Sequence, residues 1–207
     1  MEKVRLWKLP GRAFVSPDGK PKPAKFFLAP KYPHMGPWES VIWEDFLLTT
    51  DLKFVAVWYD VRVGPGFDPG EGYEDYIREM AKALTKLRID ACAQGEKYCW
   101  VFEVKPRAGR SALGQVISYA HWIQRDYPPP LPLRLAVVCR EIDPNMPPVY
   151  ESRGIVVFVV PETLERPRVI GPYSPKKYKK GGATSSVSVR ELYSGLSRIL
   201  RRSRGVV

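Results

Sequence analysis

Residues 84–105 constrain the chain more than any other stretch. Two runs rich in apolar, β-branched and aromatic residues flank Gln94-Gly95-Glu96-Lys97, a turn with glycine first of its central pair. The segment therefore reads as a β-hairpin. Side chains alternate along a strand, so Glu103 and Lys105 share one side of the second strand. Pairing Gln94 with Lys97 sets Asp90 across from Val101 and diagonal to Glu103, and sets Cys92 across from Cys99. Two carboxylates and an ammonium then converge on one surface of an otherwise apolar hairpin.

Burying two carboxylates side by side is costly without a cation between them. Oxygen donors of this kind suit Mg²⁺ or Mn²⁺, which keep several waters when bound. A neighbouring lysine could position or activate an attacking water, or offset charge on a phosphate. These are the parts that phosphodiester hydrolysis requires.

The rest of the chain supplies a frame. Residues 1–36, rich in Pro, Gly and Lys, read as an extended arm with one short strand. Pro37 suits the first turn of a helix over 36–48, with Trp38, Val41, Ile42 and Phe46 at helical spacing. Lys53 to Val63 reads as a strand, and Tyr73 to Leu84 as an inserted helix with Tyr76, Ile77, Met80 and Leu84 in a stripe. Ser111 to Arg125 reads as a helix with Leu113, Val116, Ile117 and Ala120 on its apolar side. The runs 133–139 and 154–160 read as strands covered on both faces. A core over 37–165, with an insertion at 64–84, is followed by a tail over 166–207 holding a basic loop and a helix from Ser188 to Arg202. This order predicts an α/β fold with a mixed sheet flanked by helices.

Arg88-Ile89-Asp90, the hairpin, and Glu103-Val104-Lys105 resemble the signature of the PD-(D/E)XK, or restriction-endonuclease-like, nucleases, with Ile89 in the place of the proline. The resemblance implies an α-β-β-β-α-β core, which matches the order over 37–139. Gln115 and Tyr119 resemble the Gln-xxx-Tyr helix motif of the RecB-like, Cas4-like and resolvase-like branches, and spaced by four they share a helix face. The resemblance implies that Asp90 and Glu103 bind Mg²⁺ or Mn²⁺ with the Val104 carbonyl, and that Lys105 positions or activates the water. Gln115 and Tyr119 would support the site. Glu39 and Glu44, on the first helix, are candidates for an additional acidic ligand. Asp60 is a further acidic candidate, with pairing to Arg62 or Arg88 as its other reading.

The chain has 33 Lys and Arg against 22 Asp and Glu, a formal net charge of +11, which points to a polyanionic partner. DNA is the expected partner. The candidate contacts are Arg62, Arg88, Arg107, Arg110, Lys176, Lys177, Lys179 and Lys180. A homodimer is one candidate arrangement, since enzymes that cut two strands are commonly dimers, and the sequence leaves the oligomeric state open. A non-catalytic DNA-binding or assembly protein keeping the same fold is the other class to weigh, and RNA is the other substrate. No run of about 20 apolar residues exists to span a membrane, and the N-terminus has no apolar signal core, so an intracellular site is expected. The three cysteines show no zinc spacing. Asn145 is the sole asparagine and proline is abundant. That bias suggests a thermophilic source, an archaeon or its virus.

Overall fold

The structure, a computed structural model, describes residues 5–162. The chain begins with two short strands, β1 (Ala13–Val15) and β2 (Lys22–Pro23), and a 3-10 turn over Ala24–Phe27. Helix α1 (Pro37–Thr49) starts at Pro37, where a missing N–H costs nothing. The Glu39 side chain folds back so that Oε2 accepts the Gly36 N–H at 2.8 Å, the return half of a capping box. The run expected as one strand then divides into β3 (Lys53–Phe54) and β4 (Ala56–Val63). Val55 makes the break, donating to the Gln94 carbonyl at 2.7 Å and accepting from Ser16 at 2.8 Å, while β3 turns aside to pair with β2. Next come α2 (Asp75–Thr85), β5 (Leu87–Gln94), β6 (Cys99–Ala108), α3 (Arg110–Asp126), β7 (Leu133–Ile142), α4 (Pro147–Ser152) and β8 (Ile155–Val159).

Six strands form one mixed sheet in the order β1-β4-β5-β6-β7-β8. The first three pairings are antiparallel, and β6–β7 and β7–β8 are parallel. The succession α1-β4-β5-β6-α3-β7 follows the α-β-β-β-α-β order expected from the sequence, with α2 inserted between its first two strands. Helix α1 covers one face, where Trp43 and Phe46 pack on Phe102 with ring centroids 5.1 and 5.4 Å apart. On the other face, Tyr119 and Ile123 of α3 pack with Ile89, Cys92 and Val101. Each large side chain buried this way contributes about 1.5–3 kcal/mol.

Several expectations are corrected in detail. The stripe of α3 that faces the sheet is Ala112, Val116, Tyr119 and Ile123, rotated by about one position from the expected one, and Ile117 is exposed. Trp38 also faces solvent; Ile42, Trp43, Phe46 and Leu47 are the buried apolar residues of α1. Strand β8 ends the sheet and is only half-buried past Ile155, so it is not covered on both faces. Helix α4, unread in the sequence, starts on Pro147-Pro148 and buries Tyr150, whose hydroxyl donates to the Gly109 carbonyl at 2.7 Å. Residues 5–36, expected as an arm, bury Trp7, Phe27 and Tyr32. Gln94 anchors them: its Oε1 accepts the Trp7 N–H at 2.7 Å and its Nε2 donates to the Arg5 carbonyl at 2.9 Å.

The antiparallel ribbon β4–β5 changes its facing midway. Tyr59 and its partner Ala91 belong to the core under α1, whereas Val61 and its partner Ile89 belong to the core under α3. Residues two apart on a strand ordinarily share a face. Between them lies Asp60, in the left-handed region at φ +55°. Aspartate tolerates that conformation better than most residues, and here it re-aims the ribbon.

Candidate active site

The β5–β6 ladder pairs Gln94 with Cys99, Ala93 with Trp100, Cys92 with Val101 and Ala91 with Phe102. The turn is therefore Gly95–Tyr98, closed by the Gly95 N–H donating to the Tyr98 carbonyl at 2.9 Å. Within the turn, the Arg134 guanidinium sits over the Tyr98 ring, 4.6 Å from the centroid. The expected register is thus corrected by two residues. Asp90 comes level with Glu103 rather than with Val101, and Cys92 faces Val101 rather than Cys99. Cys92, Cys99 and Cys139 are buried free thiols.

At this point the ladder gives way to side chains. Asp90, 3% exposed, accepts the Val104 N–H on Oδ2 at 2.8 Å. Glu103 is 1% exposed, and neither of its oxygens has a hydrogen bond of ordinary geometry. Its Oε1 lies 2.9 Å from Lys105 Nζ, a charge contact outside hydrogen-bond directions. Lys105 Nζ also donates to Glu39 Oε1 at 3.0 Å. Glu39 therefore uses one oxygen on its helix start and the other on this lysine.

The electrostatics follow from burial. Asp90 is pushed up by desolvation and then by the charge of Glu103, against the pull of the Val104 amide and of Lys105. Glu103 is also raised, chiefly by desolvation, with Lys105 and the Tyr119 hydroxyl pulling it down. Burial works against the Lys105 ammonium, yet Glu103 and Glu39 more than offset it, so its value rises and it stays charged. The Tyr119 phenol is pushed far up by burial and by the two carboxylates, so it keeps its proton. Gln115 reaches Tyr119 Oη at 3.4 Å, and Ser111 reaches Gln115 Oε1 at 3.5 Å, both at the long end of hydrogen bonding.

Asp90, Glu103, Lys105, Tyr119, Gln115 and Glu39 are thus brought together. Glu44 is not among them; its charge acts on Tyr32 and Tyr59. Asp60 receives Arg88 in a two-pronged ion pair, 2.6 and 2.8 Å, so this arginine is committed inside the protein. Arg62 donates to the Ala83 carbonyl at 2.9 Å. Arg107 and Arg110 are exposed, and Arg107 lies 3.5 Å from Asp143. Lys176, Lys177, Lys179, Lys180 and the helix expected from Ser188 lie outside the described residues. The link from Glu39 to Lys105 is not readable from the chain, although Gly36-Pro37 followed by Glu39 carries the signal for the capping half of it.

The donor set fits a hard divalent cation. Two buried carboxylates lie side by side with a single ammonium beside them, an arrangement that a cation relieves. Among the described residues no cluster of three or more His, Cys, Asp or Glu side chains has metal-binding geometry, so backbone carbonyl and water would complete the shell.

No known protein family matches the chain, and no curated protein matches it. Among solved structures, the crystal structure of a repair endonuclease from Pyrococcus abyssi is similar over 37% of this chain and 34% of that one. The two are 17% identical there, with a TM-score of 0.32. The match spans about a third of that protein's length, and at this level the likeness carries no argument. Among the described residues no helix is long and apolar enough to cross a membrane.

Proposed function

We propose that this chain is a metal-dependent nuclease that hydrolyses phosphodiester bonds in DNA. The observation that carries the reading is the buried Asp90–Glu103 pair, in which the Glu103 oxygens make no hydrogen bond of ordinary geometry and meet only the charge of Lys105 and the Tyr119 hydroxyl. A structural ion pair would satisfy both oxygens of a carboxylate this deeply buried.

Asp90, Glu103 and the Val104 carbonyl would hold one or two Mg²⁺ or Mn²⁺ ions, which when bound supply charge neutralisation and Lewis acidity at the scissile phosphate. Lys105, held as an ammonium between Glu103 and Glu39, orients the attacking water and offsets charge building on the phosphate. Its raised pKa speaks against proton abstraction by this residue. Tyr119 keeps its hydroxyl proton and aims a donor at the carboxylates, with Gln115 steadying it. Arg107 and Arg110, two and five residues past Lys105 and exposed, are placed to meet the phosphate backbone. The surplus of 11 positive charges supports a nucleic-acid substrate.

The test is cleavage of labelled linear, circular, single-stranded and branched DNA, and of a matched RNA, with Mg²⁺, Mn²⁺ or chelator. Cation-dependent cleavage of DNA is the expected result. Binding of every DNA with cleavage of none would overturn the reading in favour of a non-catalytic DNA-binding protein on the same fold.

A further inference from the structure

Helix α2 has the sequence of a core-packing helix and yet buries nothing. Tyr76, Ile77, Met80 and Leu84 fall on one side of it, and Tyr76, Met80 and Leu84 are 70%, 53% and 67% exposed. Its polar side is the one that is occupied. Arg78 clasps Asp68 through Nε and Nη2 at 2.9 and 2.8 Å, and Lys82 reaches Asp68 at 3.0 Å. Gly66 lies so close to the helix backbone that a Cβ there would stand 2.1 Å from the Lys82 carbonyl oxygen. The Phe67 N–H donates to Thr85 Oγ1 at 2.6 Å. The connection before α2 thus holds the helix by its polar back and turns the apolar stripe outward. Tyr73, exposed just ahead of the helix, lengthens that stripe by a turn.

A contiguous apolar strip left in water marks an interface, and tyrosine and methionine are residues such interfaces favour. The charges say what covers it. Glu71, Glu74 and Asp75 are exposed toward one end of the strip, which repels DNA and anionic membrane alike. The opposite end is basic: Arg62 donates to the Ala83 carbonyl at the last turn, and Lys86 follows the helix. A strip apolar along its middle, acidic at one end and basic at the other matches itself when turned end for end. Two-fold association requires such self-complementarity.

We infer that α2 is a dimerisation element, pairing antiparallel with α2 of a second copy of this chain. With Met80 at the two-fold axis, Glu74 of one copy comes level with Lys86 of the other. This interface stands whether or not the Asp90–Glu103 site cleaves DNA.

The test is sedimentation velocity of the full chain across a dilution series, without nucleic acid. The expected result is a monomer–dimer equilibrium, with Met80→Glu raising the dissociation constant roughly tenfold or more. Circular dichroism should be unchanged, as should melting at concentrations low enough that the wild type is monomeric, because the side chain is exposed. Glu74→Lys and Lys86→Glu should each weaken the dimer, and the double variant should restore it. A wild type that stays monomeric throughout, or a dimer that Met80→Glu leaves intact, overturns the inference. Failure of the double variant to restore association overturns the antiparallel pairing.

Discussion

Asp90 and Glu103 stand level on neighbouring strands, both buried, and the Lys105 ammonium is the only cation within ion-pair distance of either among the described residues. Without a divalent ion the pair is short of positive charge, and pH and metal should therefore act on it together.

Both carboxyls are raised above the usual value near 4 because burial favours the protonated forms, helped at Asp90 by the charge of Glu103 and at Glu103 by that of Glu39. The unfolded chain ionises them freely. Their contribution to stability is thus fully present below about pH 4 and is lost as pH rises through the folded values. In chelator, the melting temperature should fall between pH 5 and pH 8 in wild type and fall less in Glu103→Gln. Mn²⁺ should raise the wild-type melting temperature at pH 8 far more than at pH 5, and should barely move Glu103→Gln.

Glu39 joins the start of α1 to Lys105, 66 residues away. Glu39→Gln keeps an acceptor for the Gly36 amide but removes the charge beside Lys105. Cleavage should drop by about tenfold or more, while stability changes by less than about 1 kcal/mol. Calorimetry of Mn²⁺ binding separates the two roles open to this residue. Unchanged affinity marks Glu39 as a positioning residue for Lys105, and lost affinity marks it as a ligand.

Asp60 combines a left-handed backbone with the Arg88 ion pair. Asp60→Gly removes the ion pair but suits the left-handed backbone, whereas Asp60→Ala removes the pair and keeps a Cβ there at about 1–2 kcal/mol of strain. Denaturant unfolding should rank the proteins wild type, then glycine, then alanine. Equal stability of the two variants would contradict the strain.

How much of this is legible in the chain follows from particular residues. The hairpin places Glu103, Lys105 and Asp90 on one surface even under the wrong turn, because a register slip of two leaves every side chain on its face. The α-β-β-β-α-β order is equally legible, since its elements announce themselves by period. What is not legible depends on partners far apart in sequence. The buried amide of Gln94 reaches back 87 residues to Trp7, and no local pattern shows that residues 5–8 are tied to the sheet. Asp60 reads as a strand residue until its backbone is seen. The stripe of α2 is plain in the sequence, but the loop that turns it outward is not.

Removing the Gln94 amide tests that tie. Gln94→Leu leaves the buried Trp7 N–H without its acceptor, at a cost of about 1–3 kcal/mol. Limited proteolysis should then cut earlier within the first residues than in wild type, with the rest of the domain protected.

The most direct test of the central claim compares cleavage and binding in one variant. Lys105→Ala, with folding checked by circular dichroism, is assayed on a labelled DNA that the wild type cuts in Mg²⁺, and its affinity for that DNA is measured in Ca²⁺. Cleavage should fall by at least about a hundredfold, with affinity within a few-fold of wild type. Cleavage at the wild-type rate would contradict the claim, and would place any nuclease activity elsewhere in the chain.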